Sequence, residues 1–349
     1  MRRTVRAIAT RLTHKTRGET AIAFPLDPPG YLSLVTALDG KRVLLLGASS
    51  GIGVAAADRF ARQGADLALV ARGEGLAVAR EGARQHGVEA HELHADVTDR
   101  AALAGVVAQA DSLLGGIDVA VLGVGAAVWG PFEDVSSDDF DRVLDVTFRS
   151  TVDATRLLLP ILERSGGVLV IVGSVAGRIP LPFMSSYVAA KHAVHGFAGS
   201  LRIELSARRS PARVAVVAPG PVDTPFWVHA ATPVGHSALP PVLAPYSAET
   251  IADAIVDTAM HPRREYTVGG MMLVAKAVYS VAATLSERVM ALGIRRFWGD
   301  EGSPADSKTL ARPTGEGEVS SGLHGRPSLV VNLRRVPRSL ARAAISRAR

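Results

Sequence analysis

From Lys41 onward the chain alternates short apolar runs with longer stretches in which apolar residues return every three or four positions. The runs are Val43–Leu46, Leu67–Val70, Val119–Leu122, Val168–Val172 and Val214–Val217, with a shorter one near Glu265–Val268. Apolar runs of this length predict strands buried on both faces, and the stretches between them predict helices. Their alternation predicts βαβ units with right-handed crossovers. The expected fold is α/β, a doubly wound parallel sheet in a single domain over residues 39–270.

Outside that span the pattern changes. Residues 1–38 lack a sustained period and contain Pro25, Pro28, Pro29 and Gly30, which reads as an extension with a turn. Over 271–299, Met271, Val274, Val278, Val281, Leu285, Val289 and Leu292 form one apolar stripe, with Lys276, Ser280, Glu287 and Arg288 off it. That spacing predicts an amphipathic helix packed on its own domain or on a partner subunit, with a membrane interface as the sharper alternative. Residues 300–349 open on Gly, Ser, Pro, Asp and Glu and close on a basic stretch, read as a disordered linker and tail.

Composition refines this picture. Apolar residues make up 48% of the chain and aromatics only 5%, so the core is built of Ala, Val and Leu. Cysteine is absent, which excludes disulfides, thiolate zinc sites and cysteine nucleophiles and agrees with a cytoplasmic location. Arg2, Arg3, Arg6, Arg11, Lys15 and Arg17 precede any acidic residue, and seven arginines follow from Arg326. The net charge of +6 therefore belongs to the two ends, and the body is acidic. No apolar core of signal-peptide length precedes Glu19, which argues against secretion, and an organelle transit peptide is the minor reading of the basic start. Sparse aromatics argue against a nucleic-acid platform. His192 and His195 are expected to face solvent or a neighbouring subunit, His91 and His94 offer no third ligand, and no metal is expected.

Chemistry enters at two places. The first run leads into Gly47-Ala48-Ser49-Ser50-Gly51-Ile52-Gly53. Between a strand and a helix, Gly47 allows the tight turn, Gly51 lets the backbone approach a pyrophosphate, and Gly53 lets the helix pack on the sheet. The helix start supplies N–H donors and a positive dipole end, and Ser49 and Ser50 add hydroxyls. The second run ends in Ala71-Arg72, where an NAD site needs a carboxylate for the ribose hydroxyl. Arg72 suits a 2′-phosphate instead, so NADP is expected over NAD. Asp96-Val97 follows a further apolar stretch between the runs Leu67–Val70 and Val119–Leu122, where the carboxylate is placed to accept from an adenine amino group.

The second place is Tyr187 and Lys191, four apart on one helix face, with Ser174 at the carboxyl edge of the sheet thirteen residues earlier. A phenol titrates at about 10. A lysine ammonium and a cationic nicotinamide nearby lower that value and make Tyr187 the acid/base for a carbonyl/alcohol pair, with Ser174 holding the substrate oxygen.

These motifs, with Pro219-Gly-Pro-Val-Asp-Thr224, stand in the order and spacing of the short-chain dehydrogenase/reductase family, which the chain resembles over about 38–270. The resemblance implies Tyr187 as acid/base, Ser174 as oxygen anchor, and Lys191 on the nicotinamide ribose. It also implies Pro219, Gly220, Val222 and Thr224 along the nicotinamide and pyrophosphate side, and a substrate lid after Thr224. Dimers or tetramers are implied through the helices near Thr147 and Tyr187. Three positions depart from the family pattern. Leu46 replaces Thr, Leu122-Gly123-Val124-Gly125 replaces Asn-Asn-Ala-Gly, and Thr147 replaces the Asn that bends its helix and holds a proton-relay water. Gly125 is retained as a cofactor contact. A Thr147 hydroxyl has shorter reach and can bond back to its own helix. The expected activity is an NADP(H)-dependent oxidoreductase for a small apolar alcohol or carbonyl, guided by Pro225, Phe226, Trp227, Val228 and Leu239. The alternative is a weakly catalytic NADP(H)-binding module docked to a membrane or partner through its basic ends.

Overall fold

The computed structural model describes residues 38–73, 75–230, 245–297 and 318–320. The predicted basic ends and the linker, apart from its residues 318–320, lie outside the described residues, as does most of the expected lid with Leu239.

Seven parallel strands form the main sheet: β1 (Arg42–Leu46), β2 (Asp66–Ala71), β3 (Ala90–His94), β4 (Val119–Leu122), β5 (Val168–Val172), β6 (Arg213–Pro219) and, at the far edge, Glu265–Val268. The order is β3-β2-β1-β4-β5-β6, then Glu265–Val268, a doubly wound, Rossmann-like arrangement. A small parallel pair, β7 (Val222–Asp223) and β8 (Tyr246–Ser247), sits apart, so the edge strand is β9. Each apolar run of the sequence is one of these strands. The reason is visible in β1, where Val43, Leu44, Leu45 and Leu46 are all at most 2% exposed. Successive side chains point to opposite faces. Val43 and Leu45 pack in one apolar layer with Leu67, Leu69, Phe60 and Ile255. Leu44 and Leu46 pack in the other with Leu103, Leu158, Leu162 and Leu169.

The helices α1 (Gly51–Arg62), α2 (Gly75–Arg84), α3 (Arg100–Leu114), α4 (Ser137–Leu144), α5 (Ser150–Ser165) and α6 (Ser185–Ala207) cross between the strands. A short α7 (Phe226–His229) and then α8 (Ala248–Met260) follow. Local chemistry sets several ends. Asp99 caps α3 by accepting from the Ala101 and Ala102 N–H groups, and Gly115 closes it in the left-handed region at φ 69°. Ser136 and Ser247 cap α4 and α8 in the same way. Ser50 makes no such side-chain bond to α1, so its first-turn donors are open to another acceptor.

Beyond the sheet the structure corrects the expectation of one amphipathic helix and of a stripe packed on its own domain. There are two, α9 (Gly270–Val281) and α10 (Ala283–Phe297), broken at Ala282 with φ −140° and ψ 47°. The predicted stripe faces outward: Val274, Val281, Leu285, Val289 and Leu292 are each at least 60% exposed. The residues that hold α9 to the domain lie off the stripe. Met272 is buried, and Lys276 pairs with Glu265 of β9. A salt bridge to the sheet edge therefore turns the apolar face away from it.

Candidate active site

β1 neighbours β2 on one side and β4 on the other, so the chain reverses direction of winding there and leaves a crevice beyond the carboxyl ends. The glycine turn opens at this point. Gly47 has φ 91°, and a Cβ on it would stand 3.0 Å from the Gly123 backbone. A Cβ on Gly53 would collide with the Gly47 carbonyl oxygen, which is the close packing the motif requires. Gly51 and Ile52 form the first turn of α1, with Ser49 and Ser50 just before it, half-buried. Across the crevice, the Cβ position of Gly51 lies 3.0 Å from Thr224. Thr224 and Val222 are buried, and Pro219 ends β6. Gly220 is covered: a Cβ there would lie 2.9 Å from Met272 and 3.4 Å from Tyr246.

At the end of β2, Arg72 reaches Asp96 at 3.5 Å. The Asp96 carboxylate also accepts from Thr98 N–H and hydroxyl and from Arg142 at 3.0 Å. Burial opposes its charge, but the Thr98 bonds and the Arg142 guanidinium hold its pKa below the usual carboxylate value. Asp96 thus fixes two arginines near the β2 end, and Arg142 is a residue the sequence reading missed. It lies on α4, seventy positions away, and no local pattern announces it. Val97 is buried in the second apolar layer.

Ser174, Tyr187 and Lys191 come together. Ser174 follows β5 in an extended conformation, its Oγ accepting from Ala176 N–H at 3.1 Å. The Ser174 hydroxyl hydrogen-bonds Tyr187, and Lys191 lies over the Tyr187 ring with Nζ 5.6 Å from its centre. Lys191 is 4% exposed and donates to the Val172 carbonyl at 2.8 Å. Burial governs both titrations. It pushes the phenol up to about 12 against the Ser174 hydrogen bond, and it pushes Lys191 down to about 8. The Ser174 hydrogen bond is the acidifying influence on the phenol, and desolvation outweighs it, which favours the protonated form at neutral pH.

Thr147 is 1% exposed and lies in a π-helical turn, Asp145–Arg149, between α4 and α5. Its hydroxyl accepts from Ala126 N–H at 3.1 Å and donates to the Ala126 carbonyl at 3.3 Å. The hydroxyl is held by this bridge to the loop after β4 and is not bonded back to its own helix. The Cβ position of Gly125 lies 3.8 Å from Lys191 Nζ and 3.9 Å from Thr147 Oγ1, so the three residues converge.

Behind Ser174 lies a charged cluster that sequence reading did not find. His195 is 2% exposed, contrary to the expectation of a solvent-facing or subunit-facing ring, whereas His192 is exposed. His195 Nε2 bonds the Ser174 carbonyl at 3.1 Å, and Nδ1 lies 3.3 Å from Glu265. A Cβ on Gly173 would approach the ring to 2.7 Å, and one on Gly177 would collide with it. Glu265 also receives Arg178 at 2.7 Å and Lys276. Burial works against its charge, yet His195, Arg178 and Lys276 together hold its carboxyl well below the usual range.

Apolar side chains wall the Tyr187 side. Ala127, Trp129 and Met184 are buried beside Leu181, Phe183, Val188, Phe226 and Trp227. The Tyr187 and Phe226 rings stand 5.5 Å apart. Phe183 adopts φ 62°, a left-handed conformation costly for an aromatic residue, in the turn just before α6.

A Rossmann-like crevice carrying a glycine turn, with Ser, Tyr and Lys gathered at its edge, is the layout of a dinucleotide-dependent oxidoreductase. The family model of short chain dehydrogenases matches residues 41–233. The chain belongs to that family of oxidoreductases. It is 32% identical to an uncharacterized oxidoreductase, YxnA, of Bacillus subtilis over 264 residues, 72% of each chain. It is also 32% identical to the putative oxidoreductase SadH of Mycobacterium tuberculosis, over 76% of this chain and 99% of that one. Among solved structures it is similar to an alcohol dehydrogenase from Thermococcus sibiricus complexed with 5-hydroxy-NADP. The identity is 26% and the TM-score 0.59, covering 65% of this chain and 95% of that one.

Proposed function

We propose that this chain is an NADP(H)-dependent oxidoreductase that interconverts a small apolar ketone or aldehyde with its alcohol. The observation that carries the reading is the convergence of Tyr187, Ser174 and buried Lys191 at the carboxyl edge of a sheet that also carries the glycine turn. The residues present fit a dinucleotide. The turn is bare where a Cβ would close it, and α1 has no side-chain cap. Two arginines stand near the end of β2, where a 2′-phosphate is distinguished from a hydroxyl. The solved neighbour's NADP analogue agrees with this choice.

When bound, NADPH supplies the hydride to the carbonyl carbon. Ser174 donates a hydrogen bond to the carbonyl oxygen and orients it. Tyr187 transfers its phenolic proton to that oxygen as charge develops there. The tyrosinate left behind is stabilised by the Lys191 ammonium. In oxidation each proton runs the other way. The wall of Trp129, Met184, Phe183 and Phe226 excludes water and selects apolar substrates.

The test is NADPH oxidation over a panel of apolar ketones. NADPH is expected to outperform NADH. Arg72→Ala is expected to weaken use of NADPH by about 10- to 100-fold, as loss of a charged hydrogen bond predicts, while NADH is little changed. An unaltered NADPH/NADH ratio in Arg72→Ala contradicts the phosphate assignment.

A second reading concerns location, and the exposed stripe of α9 and α10 supports it. We propose that this face lies on an anionic lipid surface. Arg288 lies off the stripe beside Val289, and Arg295 and Arg296 follow in the sequence, against Glu287 as the acidic residue between Ala283 and Phe297.

A further inference from the structure

Three residues from the C-terminal stretch return to the glycine turn. The Glu318 carbonyl accepts the Gly51 N–H at 2.7 Å. Val319 packs on the apolar layer that includes Ala48, Ala55 and Val222. The Ser320 hydroxyl donates to Asp223 at 2.7 Å, a carboxylate only 1% exposed. Gly51 opens α1 on one wall of the crevice, and Asp223 sits between Val222 and Thr224 on the other. The two walls touch here through Gly51 and Thr224. The segment therefore bridges both walls at the place assigned to the pyrophosphate.

Ser50 leaves the first turn of α1 without a side-chain acceptor, so its N–H groups are open to water, a ligand or another segment. In this structure the acceptor on Gly51 is a peptide carbonyl. A carbonyl oxygen and a phosphate oxygen cannot both take one N–H along its axis. A phosphate carries full charge to the positive helix end, whereas the carbonyl carries only a partial one. Nucleotide is thus the stronger occupant and the segment the local, always present one.

We propose that Glu318–Ser320 is an autoinhibitory strap that competes with the dinucleotide pyrophosphate for the N-terminus of α1. Nucleotide binding and strap release are then one coupled event, and whatever detaches the strap raises nucleotide affinity by the same factor. The proposal rests on the dinucleotide reading above.

Two measurements on the full chain test it. Hydrogen exchange of the peptide covering 318–320 is expected to speed up when NADPH is added. Slower or unchanged exchange there overturns the proposal, because a strap closing over bound nucleotide becomes protected. Val319→Asp and, separately, Ser320→Ala are expected to tighten the NADPH Kd about three- to tenfold, the range that one net hydrogen bond spans. An unchanged or weaker Kd in both variants, with wild-type binding intact, overturns the strap and leaves the cofactor reading standing. If wild type and variants bind neither NADPH nor NADH, the cofactor reading falls and the strap falls with it.

Discussion

Lys191 shows how one buried residue ties stability to chemistry. Its pKa falls from 10.5 to about 8 because burial penalises the ammonium. Below about pH 8 both folded and unfolded chains carry the proton, and the fold bears the cost of burying it. Between about pH 8 and 10 the unfolded chain binds more protons, so stability rises with pH across that window. Chemical denaturation at stepped pH is expected to show the rise in wild type and a flat line in Lys191→Met. Turnover runs the opposite way, since the same loss of charge removes support for the tyrosinate. Reductive kcat/KM is therefore expected to decline above about pH 8, because this ratio reports the free enzyme. A profile level to pH 10 contradicts the role given to Lys191.

At the scale of elements, the loop bearing Ser174 is held from behind rather than by its own turn. His195 of α6 grips the Ser174 carbonyl, Glu265 of β9 meets His195, and Arg178 ties the far end of the loop to the same carboxylate. Removing the carboxylate leaves three cationic or protonatable groups without their partner. Glu265→Gln is expected to cost about 3 kcal/mol, as breaking a buried ion pair does. The depressed Glu265 pKa gives stability that is present above the ordinary carboxylate value near 4.5 and lost as pH falls below it. Wild type is expected to weaken in acid more steeply than the variant, and parallel acid curves contradict the assignment. This cluster also marks the limit of reading the chain alone. The central strands were legible because parallel strands buried on both faces are written as unbroken apolar runs, whereas β3, with His91, Glu92 and His94 in its five residues, carries no such run. Tyr187 and Ser174 were legible because a helix repeat and a strand end set their spacing. His195 and Glu265 stand seventy residues apart, and their pairing exists only once β9 joins β6. The stripe after Gly270 was legible as periodic but not as facing away from its own domain, since periodicity states which residues share a face and not where that face points.

For the whole molecule, two surfaces remain outside the catalytic account: the apolar stripe and the strap. No helix among the described residues is long and apolar enough to cross a membrane. Flotation with anionic vesicles is expected to carry wild type, and the double substitution Leu285→Asp, Val289→Asp is expected to abolish it without moving Tm. Wild type that stays unbound while forming dimers lost in the double variant assigns the face to a second copy instead. In the proposed function, the sheet, the glycine turn and the serine–tyrosine–lysine cluster act together in hydride transfer with a coupled proton. The most direct measurement follows deuterium from NADPH labelled at the transferring position of nicotinamide C4 into the product of an apolar ketone. The account predicts deuterium on the carbinol carbon with wild type, and almost no product with Tyr187→Phe although NADPH still binds. Full turnover by Tyr187→Phe, or alcohol formed without the label, contradicts it.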